Sequence, residues 1–135
     1  MKKIVISGSM SLYPKMKNIA NQLAEMGYIV VIPQPVDWSG ISESEFSEHR
    51  KRLSMKHFSE IANEDTYAVL VVNDTKQGIA SYIGANTFAE IALAFYFGKK
   101  IFILNDIYDL YKDELAAWGA IPLGGELSGL SLYKP

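Results

Sequence analysis

A chain of 135 residues that is 49% apolar and 21% charged has the composition of an ordinary soluble globular protein, read most simply as one domain able to bury a real core. The formal net charge is −2 and no basic cluster exceeds Arg50-Lys51-Arg52, which argues against a nucleic-acid groove but leaves a single nucleotide or nucleoside open as a partner. Without cysteine there are no disulfides, thiolate metal sites or cysteine nucleophiles, and two histidines, His49 and His57, are too few for a convincing zinc site, so neither metal nor cofactor is expected.

Met1-Lys2-Lys3 runs straight into Ile4-Val5-Ile6, too short an apolar run for a signal-peptide core or a membrane span, so a cytoplasmic protein with no membrane partner is expected. Lys3 to Ser7 is rich in β-branched residues and stops at Ser7-Gly8-Ser9, which predicts a buried first strand and a tight loop. From Pro14 to Met26 the residues Met16, Ile19, Ala20, Leu23 and Met26 recur at helical spacing, and Gly27 suits a helix stop. Tyr28 to Ile32 reads as a second buried strand closed by Pro33 and Pro35. This β-α-β unit favours parallel strands.

Gln34 to Ser44 is a predicted loop, with Trp38 as a lid, interface or locally packed residue. Ser42 to Asn63 predicts a charged helix, or two, with Phe46, Leu53, Phe58 and Ile61 inward and His57 on a solvent-facing or capping position. Tyr67 to Asn73 is continuously apolar up to its last residue, the mark of a central strand buried on both faces. After a loop, a helix is predicted from about Thr87 to Phe97, ended by Gly98. Lys100 to Leu104 then gives a fourth strand, Asp109 to Trp118 a weaker helix, and Ala120 to Leu123 a proline-containing edge strand. The tail from Glu126 to Pro135 can begin as one more helical turn.

Strands and helices alternate, so the fold class is α/β: a Rossmann- or flavodoxin-like three-layer sandwich with a four- to five-stranded parallel sheet of order 2-1-3-4-5. Ligands of such sheets bind at the carboxyl ends of the strands, beside the point where the order reverses. That point brings together Ser7-Gly8-Ser9, Asn73-Asp74 and the start of the helix near Thr87.

Ser7-Gly8-Ser9 can offer backbone N–H groups and two hydroxyls to a phosphate or sugar, although it completes neither a Walker A loop nor a dinucleotide fingerprint. In Gly84-x-x-Thr87-x-x-Glu90, glycine permits close backbone approach and the helix N-terminus favours an anionic group. Two readings stay open there. Thr87 and Glu90 have the spacing of a capping box, which would be purely structural. Otherwise Glu90, kept ionised by the helix dipole, is a carboxylate suited to attack a sugar C1 or to support an oxocarbenium-like centre.

The segments Ala68-Val69-Leu70-Val71-Val72-Asn73, Tyr82-Ile83-Gly84-Ala85-Asn86-Thr87-Phe88-Ala89-Glu90 and Gly98-Lys99-Lys100-Ile101-Phe102-Ile103-Leu104, with Ile4-Val5-Ile6-Ser7-Gly8-Ser9, resemble the core of the nucleoside 2-deoxyribosyltransferase-like proteins, which include the deoxynucleoside 5′-monophosphate N-glycosidases. The Gly-x-x-Thr-x-x-Glu step is also similar to that of the lysine decarboxylase-like phosphoribohydrolases. The resemblance implies a Rossmann-like sheet and cleavage or transfer at the N-glycosidic bond of a nucleoside or nucleoside monophosphate, with Glu90 as the catalytic nucleophile. It implies that Ser7, Gly8 and Ser9 receive sugar or phosphate, that Tyr82 and Asn86 lie in the segment leading to the glutamate, that Asp74 accepts a sugar hydroxyl, and that Tyr13 is a loop aromatic near the base.

One region departs from that pattern. The transferases carry an aspartate in the helix before the third strand and another where that strand begins. The stretch from His57 to Tyr67 offers only Glu60, Glu64 and Asp65 nearby. A non-catalytic nucleotide-binding or sensing module of the same fold is therefore the alternative expectation. Phe88, Phe95, Tyr96 and Phe97 cover more of their helix than one core face needs, which predicts a homodimer or higher homo-oligomer.

Overall fold

The computed structural model describes residues 2–133. Five strands form one parallel sheet in the order β2-β1-β3-β4-β5: β1 is Lys3–Gly8, β2 Ile29–Val31, β3 Thr66–Val72, β4 Lys100–Ile103 and β5 Ile121–Pro122. Four α-helices connect them, α1 (Tyr13–Glu25), α2 (Glu43–Ala62), α3 (Ala85–Tyr96) and α4 (Lys112–Ala117), with short 3-10 turns at Met10–Leu12, Asp109–Tyr111 and Leu127–Leu132. The fold class and strand order are those expected from the alternation of apolar runs.

Side chains alternate across a strand, so each central strand feeds two cores. Ile4, Ile6, Ala68, Leu70, Val72 and Phe102 pack with Met16, Ile19 and Leu23 of α1 and with Leu130 on one face. Val5, Val69, Val71, Ile101 and Ile103 pack with Ile61 of α2, Ile91 and Ala94 of α3 and Leu115 of α4 on the other. Ser7 follows Val5 by two residues and so belongs to the α2–α3 side, where it is fully buried.

Gly8 ends β1 opposite Val72, and a Cβ there would meet the Val72 carbonyl oxygen at 2.9 Å. Only glycine lets the two strands remain paired up to the mouth of the site. Gly8→Ala should cost about 1–3 kcal/mol, from the strain of an added methyl in a packed region. Urea unfolding measures this, and an unchanged midpoint would show that β1 moves aside freely.

Three expectations are corrected. β2 is an edge strand rather than a buried one, with Ile29 48% exposed, because β1 is its one neighbour in the sheet. Of the four inward positions read in α2, Ile61 alone is buried; Phe46 and Leu53 are exposed and Phe58 is half-buried. Only the end of this 20-residue helix lies on the sheet, and its earlier turns stand clear of it. Finally, α3 begins at Ala85 with Gly84 as its N-cap, two residues before the expected start, and no side chain caps it. Thr87 is therefore inside the helix and buried, and the capping box does not exist. No helix among the described residues is long and apolar enough to cross a membrane.

Candidate active site

The carboxyl ends of β1 and β3 open into a cleft of about 620 Å³, which has room for a ligand of nucleotide size. Its floor is built from the end of β1 and the turn after it (Gly8, Ser9, Met10), the loop after β3 (Asp74, Thr75, Lys76) and the N-cap and first turns of α3 (Gly84, Ala85, Asn86, Glu90). The far wall is formed by the loop after β2, with Pro33, Gln34, Val36 and Trp38, and by α2, with Arg50, Leu53, Ser54, Lys56, His57 and Phe58. The far wall mixes apolar and aromatic side chains, Val36, Trp38, Leu53 and Phe58, with the basic groups Arg50 and Lys56.

Glu90 sits at the sixth position of α3 and its side chain is 15% exposed. Ser7 donates its hydroxyl to Oε1, and His57 places Nε2 at 3.5 Å from Oε2, with its own side chain 12% exposed. The expectation that the helix dipole keeps Glu90 ionised is overturned. Removal from water pushes its pKa up to about 7, against the smaller opposing pull of the Ser7 hydroxyl. The dipole acts within the first turn of a helix, and Glu90 lies beyond it. His57 is driven the other way: burial holds its pKa below the ordinary imidazole value, opposed by the Glu60 carboxylate and the Ile6 backbone carbonyl.

Asp74 carries two partners at the cleft floor. Lys15 of α1 lies 2.6 and 2.7 Å from its two oxygens, and Asn105 donates to Oδ1 at 2.9 Å. The buried Asn73 beside it ties three backbone groups together. It donates to the carbonyls of Ser81 (3.2 Å) and Asp106 (2.8 Å) and accepts from the Asn105 N–H (3.1 Å). These bonds hold Ser81 at φ 54°, a left-handed conformation that costs a serine on the order of 1 kcal/mol.

Of the residues singled out from sequence, Gly8, Ser9, Asp74, Tyr82, Gly84, Asn86 and Glu90 line one cleft, and Ser7 reaches it from below through Glu90. Tyr13 and Thr87 are not among the lining residues. Tyr13 packs against the α1-side core, and Thr87 is buried within α3. His57, expected at a solvent-facing or capping position, instead lines the cleft and faces Glu90. It precedes the inward Ile61 by one helical turn, and that i, i+4 spacing places both on the same face. Trp38 packs on Phe46 at 4.6 Å and closes one side of the cleft. The region lacking the expected aspartates supplies this histidine, while Glu60 is held by Lys3 at 3.0 Å. Among the described residues, no cluster of three or more His, Asp or Glu side chains is placed to hold a metal ion.

No protein-family model matches the chain, and no curated protein sequence matches it. A solved structure of Clostridium botulinum CMP N-glycosidase, BcmB, shares the fold, with a TM-score of 0.59 and 17% sequence identity over 98% of this chain and 100% of that one.

Proposed function

We propose that the cleft takes a nucleoside or nucleoside monophosphate and that the protein cleaves or transfers its N-glycosidic bond, with Glu90 as nucleophile. The observation that carries this reading is a largely buried carboxylate at the sheet's switch point, bonded to Ser7, lining a cleft whose other wall offers Trp38 and Phe58 for a base to lie against. The likeness of fold to a CMP N-glycosidase supports it. In the first step a Glu90 oxygen bonds C1′ as the C1′–N bond breaks, and the electron pair leaves on the base nitrogen, which is protonated. Water or a second base then attacks C1′ and returns the carboxylate. In this reading Ser9 and Asn86 receive sugar or phosphate oxygens and Asp74 accepts a sugar hydroxyl.

The test is incubation with ribo- and deoxynucleosides and their 5′-monophosphates, followed by chromatography for free base. Base release that persists at the parental rate in Glu90→Ala would overturn the mechanism. A second reading is a non-catalytic nucleotide-binding module. The raised pKa of Glu90 favours it, because a carboxylic acid is no nucleophile. Thermal stabilisation by a nucleotide with no base released, unchanged in Glu90→Ala, would decide for it.

A homo-oligomer belongs to the same proposal, on narrower grounds than the sequence suggested. Phe88 stacks on Tyr111 and Trp118 within the chain, whereas Phe95 (47% exposed, one ring face on Trp118), Tyr96 (81%) and Phe97 (46%) form the apolar end of α3 that a second copy would cover.

A further inference from the structure

The group facing Glu90 is an imidazole. Oε1 of Glu90 is occupied by the Ser7 hydroxyl, and Oε2 is directed at His57 Nε2, 3.5 Å away, a separation that a small side-chain movement closes to a hydrogen bond. Both side chains are largely withdrawn from water, so burying either as a lone ion is costly. One proton between them removes that cost in two ways. With the proton on Glu90 the pair is acid and imidazole, both neutral; with the proton on His57 it is an ion pair of zero net charge. Adding a second proton or removing the last one leaves a net charge in the same dry corner.

We propose that His57 and Glu90 act as one acid–base pair holding a single proton, and that substrate entry moves this proton from Glu90 to His57, exposing the carboxylate only when a sugar carbon is in front of it. His57 is thus a positioning residue that acts through Glu90. The inference rests on the reading of Glu90 as nucleophile and adds how a buried carboxylic acid becomes one.

The surrounding charges suit both proton positions. Burial alone favours the neutral form of each partner, raising Glu90 and lowering His57. From α2 itself, the Glu60 carboxylate pulls the other way on His57, as does the Ile6 carbonyl of β1, so an imidazolium would find two acceptor groups beside it. Glu60 is fixed by Lys3 of β1. The remaining charged groups lining the cleft are Arg50 and Lys56 on α2, and Asp74 and Lys76 on the loop after β3, with Asp74 paired to Lys15. Positive charge developing at C1′ supplies the bias toward the Glu90 carboxylate.

The cycle balances. The carboxylic acid and imidazole become carboxylate and imidazolium; the carboxylate bonds C1′ as the C1′–N pair departs, and the imidazolium proton passes through solvent to the leaving nitrogen. Water then bonds C1′, its proton passes through solvent to the neutral imidazole, and the C1′–O pair returns to Glu90. Transfer of that proton back to Glu90 restores the starting pair.

The pair is tested without any substrate by following the His57 ring signals by NMR as pH is varied, with His49 as the internal comparison. In the parent, His57 should show a step near pH 7, as Glu90 changes charge beside it, in addition to its own protonation below the ordinary imidazole range; in Glu90→Gln the step near pH 7 should vanish. A parent His57 with no step near pH 7, or one whose curve is identical in Glu90→Gln, overturns the pair. With an active nucleotide substrate, His57→Gln should lose about tenfold or more in kcat at pH 6, recover to within a few-fold at pH 8 and keep its KM, since Glu90 must then lose its proton to solvent. An equal loss at both pH values would make His57 merely structural. If the parent releases base from no nucleotide, the proposed function fails, while the NMR titration still decides the pair.

Discussion

Glu90→Gln is expected to abolish base release, by roughly 10³-fold or more, while making the protein more stable above neutral pH. The two effects share one cause. In the folded chain Glu90 has a pKa raised from 4.5 to about 7, mainly by loss of water. The folded state therefore holds this proton more tightly than the unfolded chain does, and stability from this group is full below about pH 4.5 and is lost as pH rises through about 7. At about 1.4 kcal/mol per pH unit the loss amounts to at most about 3.5 kcal/mol. Glutamine keeps the shape and cannot ionise, so it avoids that loss. Urea unfolding of both proteins at pH 4.5 and pH 8 should show similar stabilities at the lower value and the variant ahead at the higher. A variant equally destabilised at both would mean that Glu90 is held as an anion by contacts that outweigh its burial.

Asn73→Ala should be the most damaging change outside the hydrophobic core, about 3 kcal/mol. It strands the carbonyls of Ser81 and Asp106 and the N–H of Asn105, three part-buried groups, at about 1 kcal/mol for each. The loss should extend to ligand binding. Asn73 fixes the loop that carries Tyr82 and Gly84 into the cleft, and Ser81 has little reason to stay at φ 54° without it. The urea midpoint should fall with an unchanged slope. A loss under about 1 kcal/mol would show that solvent enters between the two loops and satisfies these groups.

Much of the scaffold was legible because it rests on short-range rules. The uninterrupted apolar run at Ala68–Val72 marks a strand covered on both faces, and β3 lies at the centre of the sheet. The alternation that sends Val5 to one core and Ile6 to the other also sends Ser7 toward α3. The same local logic failed at β2, whose apolar run resembles that of a central strand; edge or centre depends on which strands sit beside it. It failed again at the start of α3. Thr87-x-x-Glu90 satisfies the pattern of a capping box, and nothing in those four residues reveals that Gly84 already ends the loop.

The sequence by itself determined the parallel sheet, its order and the convergence of Ser7-Gly8-Ser9, Asp74 and the Gly84–Glu90 segment, because hydrophobic periodicity and parallel-strand connections leave few arrangements open. The tertiary structure alone decided the chemical state of the site. The proton affinity of Glu90 is set by how much water reaches it and by the residue across from it, His57, which is 33 positions away in the chain. Local pattern fixes which residues form helices and strands; charge state depends on the whole three-dimensional surroundings, where burial outweighs the weak pull of a helix dipole.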